Sequence, residues 1–179
     1  MIVTYYVASS LDGYIAKNNG DVSWLNDLDI TMKDTGYDDF YSTVDALVMG
    51  RKTYDMIVSL GQWPYGDKPV WVCSSTKIEP MEGCNLQAGS TPDDTCHAAA
   101  KMNIKHLWFV GGGSLASSFL KNNLLTSISL SLMPILLGEG IKLFGSLPSP
   151  IKLNKEREVL HRSGMVQLEY KLNHTRHSS

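Results

Sequence analysis

Leu107-Trp108-Phe109-Val110-Gly111-Gly112-Gly113-Ser114-Leu115 reads as an apolar strand running into three glycines and then a helix start. Glycine lets backbone come close to a ligand, and a helix start offers unpaired N–H donors at a positive dipole end. That combination binds phosphate, and three consecutive glycines exceed what a plain strand–helix corner needs. At Gly112 a β-branched side chain would block close approach and resist positive φ. The same order recurs upstream in Val48-Met49-Gly50-Arg51-Lys52-Thr53-Tyr54. Two cations there occupy a first turn, where the dipole disfavours them, so a compensating anion is expected; a solvated basic turn is the plainer alternative. A third buried strand, Val70–Cys73, ends in Ser74-Ser75-Thr76-Lys77. Alone that cluster is a turn signal.

Working outward, strand and helix patterns alternate. Ile2–Ala8 is β-branched and aromatic, Leu11-Asp12-Gly13 is a turn, and Tyr14-Ile15-Ala16 is a short return. A helix is expected from about Thr31 to Thr43, a strand over Ala46–Met49, and a helix from Arg51 to about Leu60. Pro92-Asp93-Asp94 opens a further helix. Ser127–Met133 alternates with period two, and Ile151–Leu160 with Met165–Leu172 read as a closing hairpin. Residues 138–150 read as a long loop. The alternation implies one α/β domain over 1–172, its sheet mostly parallel with antiparallel edges, and a flexible tail over 173–179.

The 179 residues carry a formal net charge of −2, with 43% hydrophobic and 19% charged residues, which suits a globular chain. That balance shows no electrostatic footprint for nucleic acid, and no apolar run approaches the ~20 residues of a membrane span. Three cysteines without C-x-x-C spacing, and no histidine pair at helical metal-binding spacing, predict neither a disulfide framework nor a metal site. A basic leader is missing, so the cytoplasm is the expected compartment.

The three candidate sites are the carboxyl ends of three strands, where open α/β sheets bind ligands. Two glycine–helix sites suit a dinucleotide. Arg, Lys and Ser rather than an acid at its adenosine end favour a 2′-phosphate, hence NADP over NAD. A Rossmann reading of Gly111-x-Gly113-x-x-Ala116 fails, because the motif lies late and no acid follows ~20 residues on. The run also fits G-x-S-x-A around Ser114, but a serine hydrolase needs an acid and a base, for which only glutamates after Asp94 and His161 remain.

At these residues the chain resembles the dihydrofolate-reductase-like superfamily, and within it stand-alone proteins similar to the reductase domain of the riboflavin-biosynthesis deaminase–reductase. The resemblance covers about Met1 to Leu172. It rests on Ala46–Tyr54 (ALVMGRKTY), Val110–Gly113 (VGGG), Pro134–Phe144 (PILLGEGIKLF) and Val7–Ala16 (VASSLDGYIA). It implies a three-layer domain with an eight-stranded mixed sheet, NADPH bound across it, and a homodimer. By position, Gly50, Arg51, Lys52 and Thr53 would hold the adenosine-side phosphates. Ser74 and Ser75 would lie by the 2′-phosphate and adenine, and Gly111, Gly112, Gly113, Ser114 and Leu115 by the pyrophosphate. Ala8, Ile15 and Ala16 would lie near the nicotinamide, under a mobile loop from Lys17 to Trp24.

The implied activity is NADPH-dependent hydride transfer to a pterin- or ribosylaminopyrimidine-like heterocycle, a small-molecule substrate. The acid candidates are Asp12, which also reads as a turn former, and Asp38, one of five aspartates near the first helix. Trp24 could stack on a planar substrate, or be a core or lid residue. Dihydrofolate reductase has a cation in a Pro-x-Gly-Arg-Lys-type stretch that grips the folate carboxylate. Here the stretch is Pro64-Tyr65-Gly66-Asp67-Lys68, so an acid stands at that position and would repel a glutamate tail. No H-x-E with P-C-x-x-C occurs, so the zinc-deaminase half is absent. The rival readings are a hydrolase using Ser114 and a non-catalytic NADP-binding protein.

Overall fold

The computed structural model describes residues 1–173; the tail expected over 173–179 lies, from His174 onward, outside the described residues. β1 (Ile2–Ser10) is the centre of an eight-stranded sheet with β3 (Ala46–Gly50), β4 (Val70–Cys73), β5 (Leu86–Gln87), β6 (His106–Gly111), β7 (Ser127–Met133), β9 (Leu153–Leu160) and β10 (Val166–Leu172). The strand order is β5-β4-β3-β6-β1-β7-β10-β9. From β5 to β7 every pairing is parallel, whereas β10 runs antiparallel to both β7 and β9. This is the expected mixed, mostly parallel sheet.

Helices cover both faces. α3 (Pro92–Lys101) and α4 (Gly113–Lys121) bury Ala99, Ala116 and Phe119 with Val3, Tyr5, Val48, Leu107 and Phe109. α1 (Tyr37–Thr43) and α2 (Arg51–Ser59) pack Phe40, Tyr41, Tyr54 and Ile57 against Leu47, Met49, Val70 and Trp108 on the other face. Alternate residues of one strand thus feed opposite cores, as strand geometry requires.

Three local expectations change. The first helix starts at Tyr37 rather than near Thr31, because Gly36 takes a left-handed φ of 69° and the Asp34 carboxylate closes a turn by accepting from Thr31 N and Oγ1. The 138–150 loop contains β8 (Ile141–Lys142), which pairs antiparallel with β2 (Tyr14–Ala16). Short β5 is also additional: its two residues are too few to show a period.

Candidate functional site

The two glycine corners meet because β3 and β6 are neighbours, with Met49 opposite Gly111. Gly50 is the N-cap residue of α2 and Gly112 that of α4, and neither helix has a side-chain cap. By contrast, the Thr91 hydroxyl caps α3 by accepting from Asp94 N. The first-turn N–H groups of α2 and α4 are therefore the kind of donors that take up an anion. A Cβ placed on Gly50 would lie 3.6 Å from Leu115 Cδ2, 3.8 Å from Gly111 O and 3.9 Å from Gly112 N. On Gly111 or Gly112 it would lie 3.8 or 3.6 Å from Thr53 Oγ1. Gly50, Thr53, Gly111, Gly112 and Leu115 therefore share one cradle.

The three consecutive glycines serve different ends. The positive φ, 151°, belongs to Gly111; Gly112 is extended at −99°, which corrects the conformational argument made for it. A cis peptide bond joins the two. Gly113 is required by the chain itself, since its Cβ would sit 2.0 Å from the Lys142 carbonyl oxygen of β8. Ser114 is exposed in the first turn of α4, and its hydroxyl has no histidine or carboxylate partner among the described residues. His161 Nε2 is engaged 2.7 Å from Gln167 Oε1.

On one side of the cradle lies the end of β4, where Cys73 pairs with Gly50. Arg51 leans from α2 towards the segment after β4: its Nη1 donates to Thr76 Oγ1 at 2.9 Å, and its Nε to the Asp55 carboxylate at 2.8 Å. The Arg51 charge thus already has a counterion one helical turn away, which sequence reading missed although i,i+4 spacing could have shown it. Lys52 is exposed and has no ion-pair partner among the described residues. Ser74 Oγ donates to Thr76 O and accepts from Thr76 N, a hydroxyl turn, and Ser75 is exposed. A groove of about 650 Å³ opens here, lined by Ser74, Thr76, Lys77, Ile78, Leu86, Gln87 and Asp94 among others. Asp94 adds an acid that the sequence, read by linear distance, did not place at this end.

On the other side lie β1 and β2. Ala8 is half-buried, Ile15 half-buried and Ala16 buried. Trp24 is only 1% exposed, packed in a cluster with Met133, Met165, Ala8 and Leu25. Its indole Nε1 is buried without an acceptor, which a bound molecule or water normally remedies. The Lys17–Trp24 segment is tied by a Lys17–Asp21 ion pair at 3.1 Å. Ser23 N and Oγ also donate to the Asp21 carboxylate, and chiefly these bonds hold Asp21 down at about 2.

Asp12 is exposed and accepts from Ser10 Oγ at 2.6 Å, Leu137 N at 3.1 Å and Gly138 N at 2.7 Å. The Ser10 hydroxyl first, and then the two backbone donors, keep its carboxyl below the usual range. Its geometry is that of a turn-forming carboxylate held ionised. Asp38 is exposed in the first turn of α1, with no side-chain hydrogen bond among the described residues. The two acids are on separate elements and do not meet.

Across the carboxyl ends of the strands the order is therefore Ser74 (just after β4), Gly50 (β3), Gly111 (β6) and Ala8 (β1). Neighbouring strands are ~4.8 Å apart, so this trough spans roughly 14 Å. No helix among the described residues is long and apolar enough to cross a membrane.

Comparison with known proteins agrees with this architecture. Residues 63–167 match the family model of the RibD C-terminal domain. The uncharacterized protein YwjB of Bacillus subtilis (strain 168) is 32% identical over 149 residues, covering 83% of this chain and 85% of YwjB. The crystal structure of a "Putative riboflavin biosynthesis protein" from Shewanella sp. PV-4 superposes with a TM-score of 0.85 at 34% identity, covering 97% of this chain and all of that one. Dihydrofolate reductase from Enterococcus faecalis, complexed with NADP(H), shares the fold at a TM-score of 0.67 and 17% identity, over 97% of each chain. With more than half its length matched by that family model and an eight-stranded sheet of the dihydrofolate-reductase type, the chain belongs to the RibD C-terminal domain family.

Proposed function

We propose that this protein is an NADPH-dependent reductase acting on a small planar heterocycle of the pterin or ribosylaminopyrimidine type. One observation carries the reading: in a chain of this family, two uncapped helix starts converge behind glycines on neighbouring strand ends, so close that a Cβ on Gly50 would lie 3.9 Å from Gly112 N. The residues fit the cofactor. A Cβ on Gly111 or Gly112 would meet the Thr53 hydroxyl at ordinary contact distance, so these glycines present bare backbone beside a hydroxyl. The names of the Shewanella and Enterococcus structures point the same way.

In this reading Gly50, Thr53, Gly111, Gly112, Gly113, Ser114 and Leu115 hold the pyrophosphate. Arg51, Lys52, Ser74 and Ser75 take the 2′-phosphate side, where cations and hydroxyls suit an anion better than a ribose hydroxyl. Ala8, Ile15 and Ala16 flank the nicotinamide. The reduced nicotinamide, when bound, supplies hydride; the protein orients the ring, and the apolar Trp24 cluster excludes water. With Asp12 committed to three donors, the proton is assigned to water. The homodimer belongs to this proposal too. β9 leaves one edge of the sheet unpaired, and its last residue, Leu160, is 78% exposed.

Isothermal titration with NADPH and NADH tests the reading, followed by NADPH oxidation at 340 nm over a panel of pterins and aminopyrimidines. NADPH is expected to bind at least about tenfold tighter, the scale of one charge-assisted hydrogen bond. Equal affinities would overturn the selectivity, and binding of neither cofactor would overturn the function.

A further inference from the structure

The strap from Leu137 to Gly145 touches the β2 side of the trough and its glycine cradle. At one end β8 pairs with β2, Ile141 opposite Ala16, and Gly140 packs so closely that a Cβ there would lie 2.2 Å from the Ala16 carbonyl oxygen. At the other, the Lys142 carbonyl lies over Gly113, and Gly145 N donates to Gly113 O at 2.9 Å. Between them, Leu143 N donates to Gly13 O at 2.9 Å, and Leu143 O accepts from Tyr5 Oη at 3.2 Å. Backbone stitches of this kind give the strap a fixed path from the end of β2 to the start of α4.

What anchors its beginning is one side chain. Asp12 receives Leu137 N on one carboxylate oxygen and Gly138 N on the other. It is itself oriented by Ser10 Oγ, which accepts from Tyr14 N at 3.0 Å. Gly138 has a φ of 77° and Gly140 one of 152°, so the stretch between anchor and contact bends through backbone that glycine favours. Such a stretch has little stiffness of its own and depends on its anchors. A carboxylate taking two backbone N–H groups makes charge-assisted bonds, stronger than neutral ones.

We propose that Asp12 is a positioning residue: by pinning Leu137 and Gly138 it holds the strap that bridges Ala16 and Gly113, and so fixes the separation between the nicotinamide end of the trough and its glycine cradle. This rests on the reductase reading above. The three observed partners of Asp12 are Ser10, Leu137 and Gly138, and the role assigned to it is exerted through the strap.

The test combines hydrogen exchange and NADPH titration on the full chain, for wild type, Asp12→Ala and Asp12→Asn. In Asp12→Ala the amides of 137–145 are expected to exchange about tenfold faster while those of β6 are unchanged, since two charged hydrogen bonds are lost from an exposed segment. NADPH affinity is expected to fall about tenfold, and NADPH to protect residues 14–16 and 113–115 less than in wild type. Asp12→Asn keeps one acceptor oxygen and should fall between the two in both measurements. A purely structural role would lower the melting temperature without grading cofactor-linked protection in this order. Unchanged exchange in the strap overturns the anchor. Loosened exchange with unchanged NADPH affinity overturns the positioning role. If wild type binds no NADPH, the reductase reading and the positioning role fall together, while apo exchange still reports whether Asp12 anchors the strap. Should Asp12→Ala not fold, Asp12→Asn against wild type decides the same questions.

Discussion

At the scale of the residue, glycine identity alone does not say what a glycine does. Gly111, Gly112 and Gly113 read alike, yet the first carries the positive φ, the second borders the cradle and the third makes room for a carbonyl. Substitution should separate them. Gly112→Ala places its Cβ at ordinary contact with Thr53 Oγ1, so thermal unfolding should move little while NADPH titration shows a loss of about tenfold or more. Gly111→Ala should instead cost on the order of 1–3 kcal/mol in urea unfolding, because an L side chain is strained at that φ. If both variants behave alike, the division between backbone strain and ligand cradle is wrong.

Asp67 is a second residue-scale case. It is exposed beside Tyr41, whose phenol is raised by burial and then by the Asp67 charge, while Lys68 Nζ is turned away to Val44 O and over the Tyr41 ring. No cation is thus presented at the Asp67 position. Dihydrofolate should be a poor substrate by NADPH oxidation, and Asp67→Arg should improve kcat/KM roughly threefold, the scale of one exposed ion pair. Rapid wild-type turnover unaffected by the substitution would refute the argument against folate.

At the scale of the element, the helices sort by how they begin. α3 has Thr91 as N-cap, Pro92 in its first turn and Asp93 and Asp94 behind it; the Pro-Asp-Asp start is legible in the sequence because it is local chemistry, and the structure adds the Thr91 cap. Thr91→Ala should cost about 1 kcal/mol, seen as a fall of roughly 2–4 °C in melting temperature, with NADPH affinity unchanged. A larger loss of binding than of stability would mean that α3 shapes the trough through Asp94. The strap was hidden for the opposite reason. β8 has two residues, and its partner β2, legible as the short return Tyr14–Ala16, lies more than a hundred positions earlier, so no local pattern announces β8 or the pairing. Residues 31–36 misled by their polarity and spacing: one left-handed glycine and one Asp–Thr turn outweigh weak helix propensity.

At the scale of the whole molecule, the far end of the central strands is joined by a hydroxyl–imidazole chain. His106 Nε2 is 2.8 Å from Thr4 Oγ1, which is 2.7 Å from Ser127 Oγ, and Nδ1 faces Thr43 O at 3.2 Å. Asp45 accepts from the backbone N–H groups of Lys105 and His106. Burial lowers the His106 pKa, against smaller raising effects of the Thr43 carbonyl and Asp45. The folded protein therefore binds this proton less readily than the unfolded chain. Stability is complete above the unfolded value of about 6.5 and is lost as pH falls from there through the folded value. Melting temperature should be flat from pH 7 to 8 and decline as pH falls below about 6.5. His106→Gln should flatten that slope, and an unchanged slope would assign the acid sensitivity elsewhere.

The sequence by itself determined the alternation of strands and helices, the parallel sheet with its antiparallel closing hairpin, and the two strand–glycine–helix corners, because each is written in contiguous residues with a period or a breaker. Gly50, Thr53, Gly111, Gly112 and Leu115, which the fold brings together in the cradle, were named from those corners and the family resemblance. Only the tertiary structure decided that β3 and β6 are neighbours, which brings Gly50 to Gly111; that Asp55 answers Arg51; that Asp94 shares a groove with Ser74; and that Asp12 is spent on the strap. Those facts depend on pairings across tens to more than a hundred residues. They are settled by which apolar faces can be buried together, a property of the packed chain and not of any one segment.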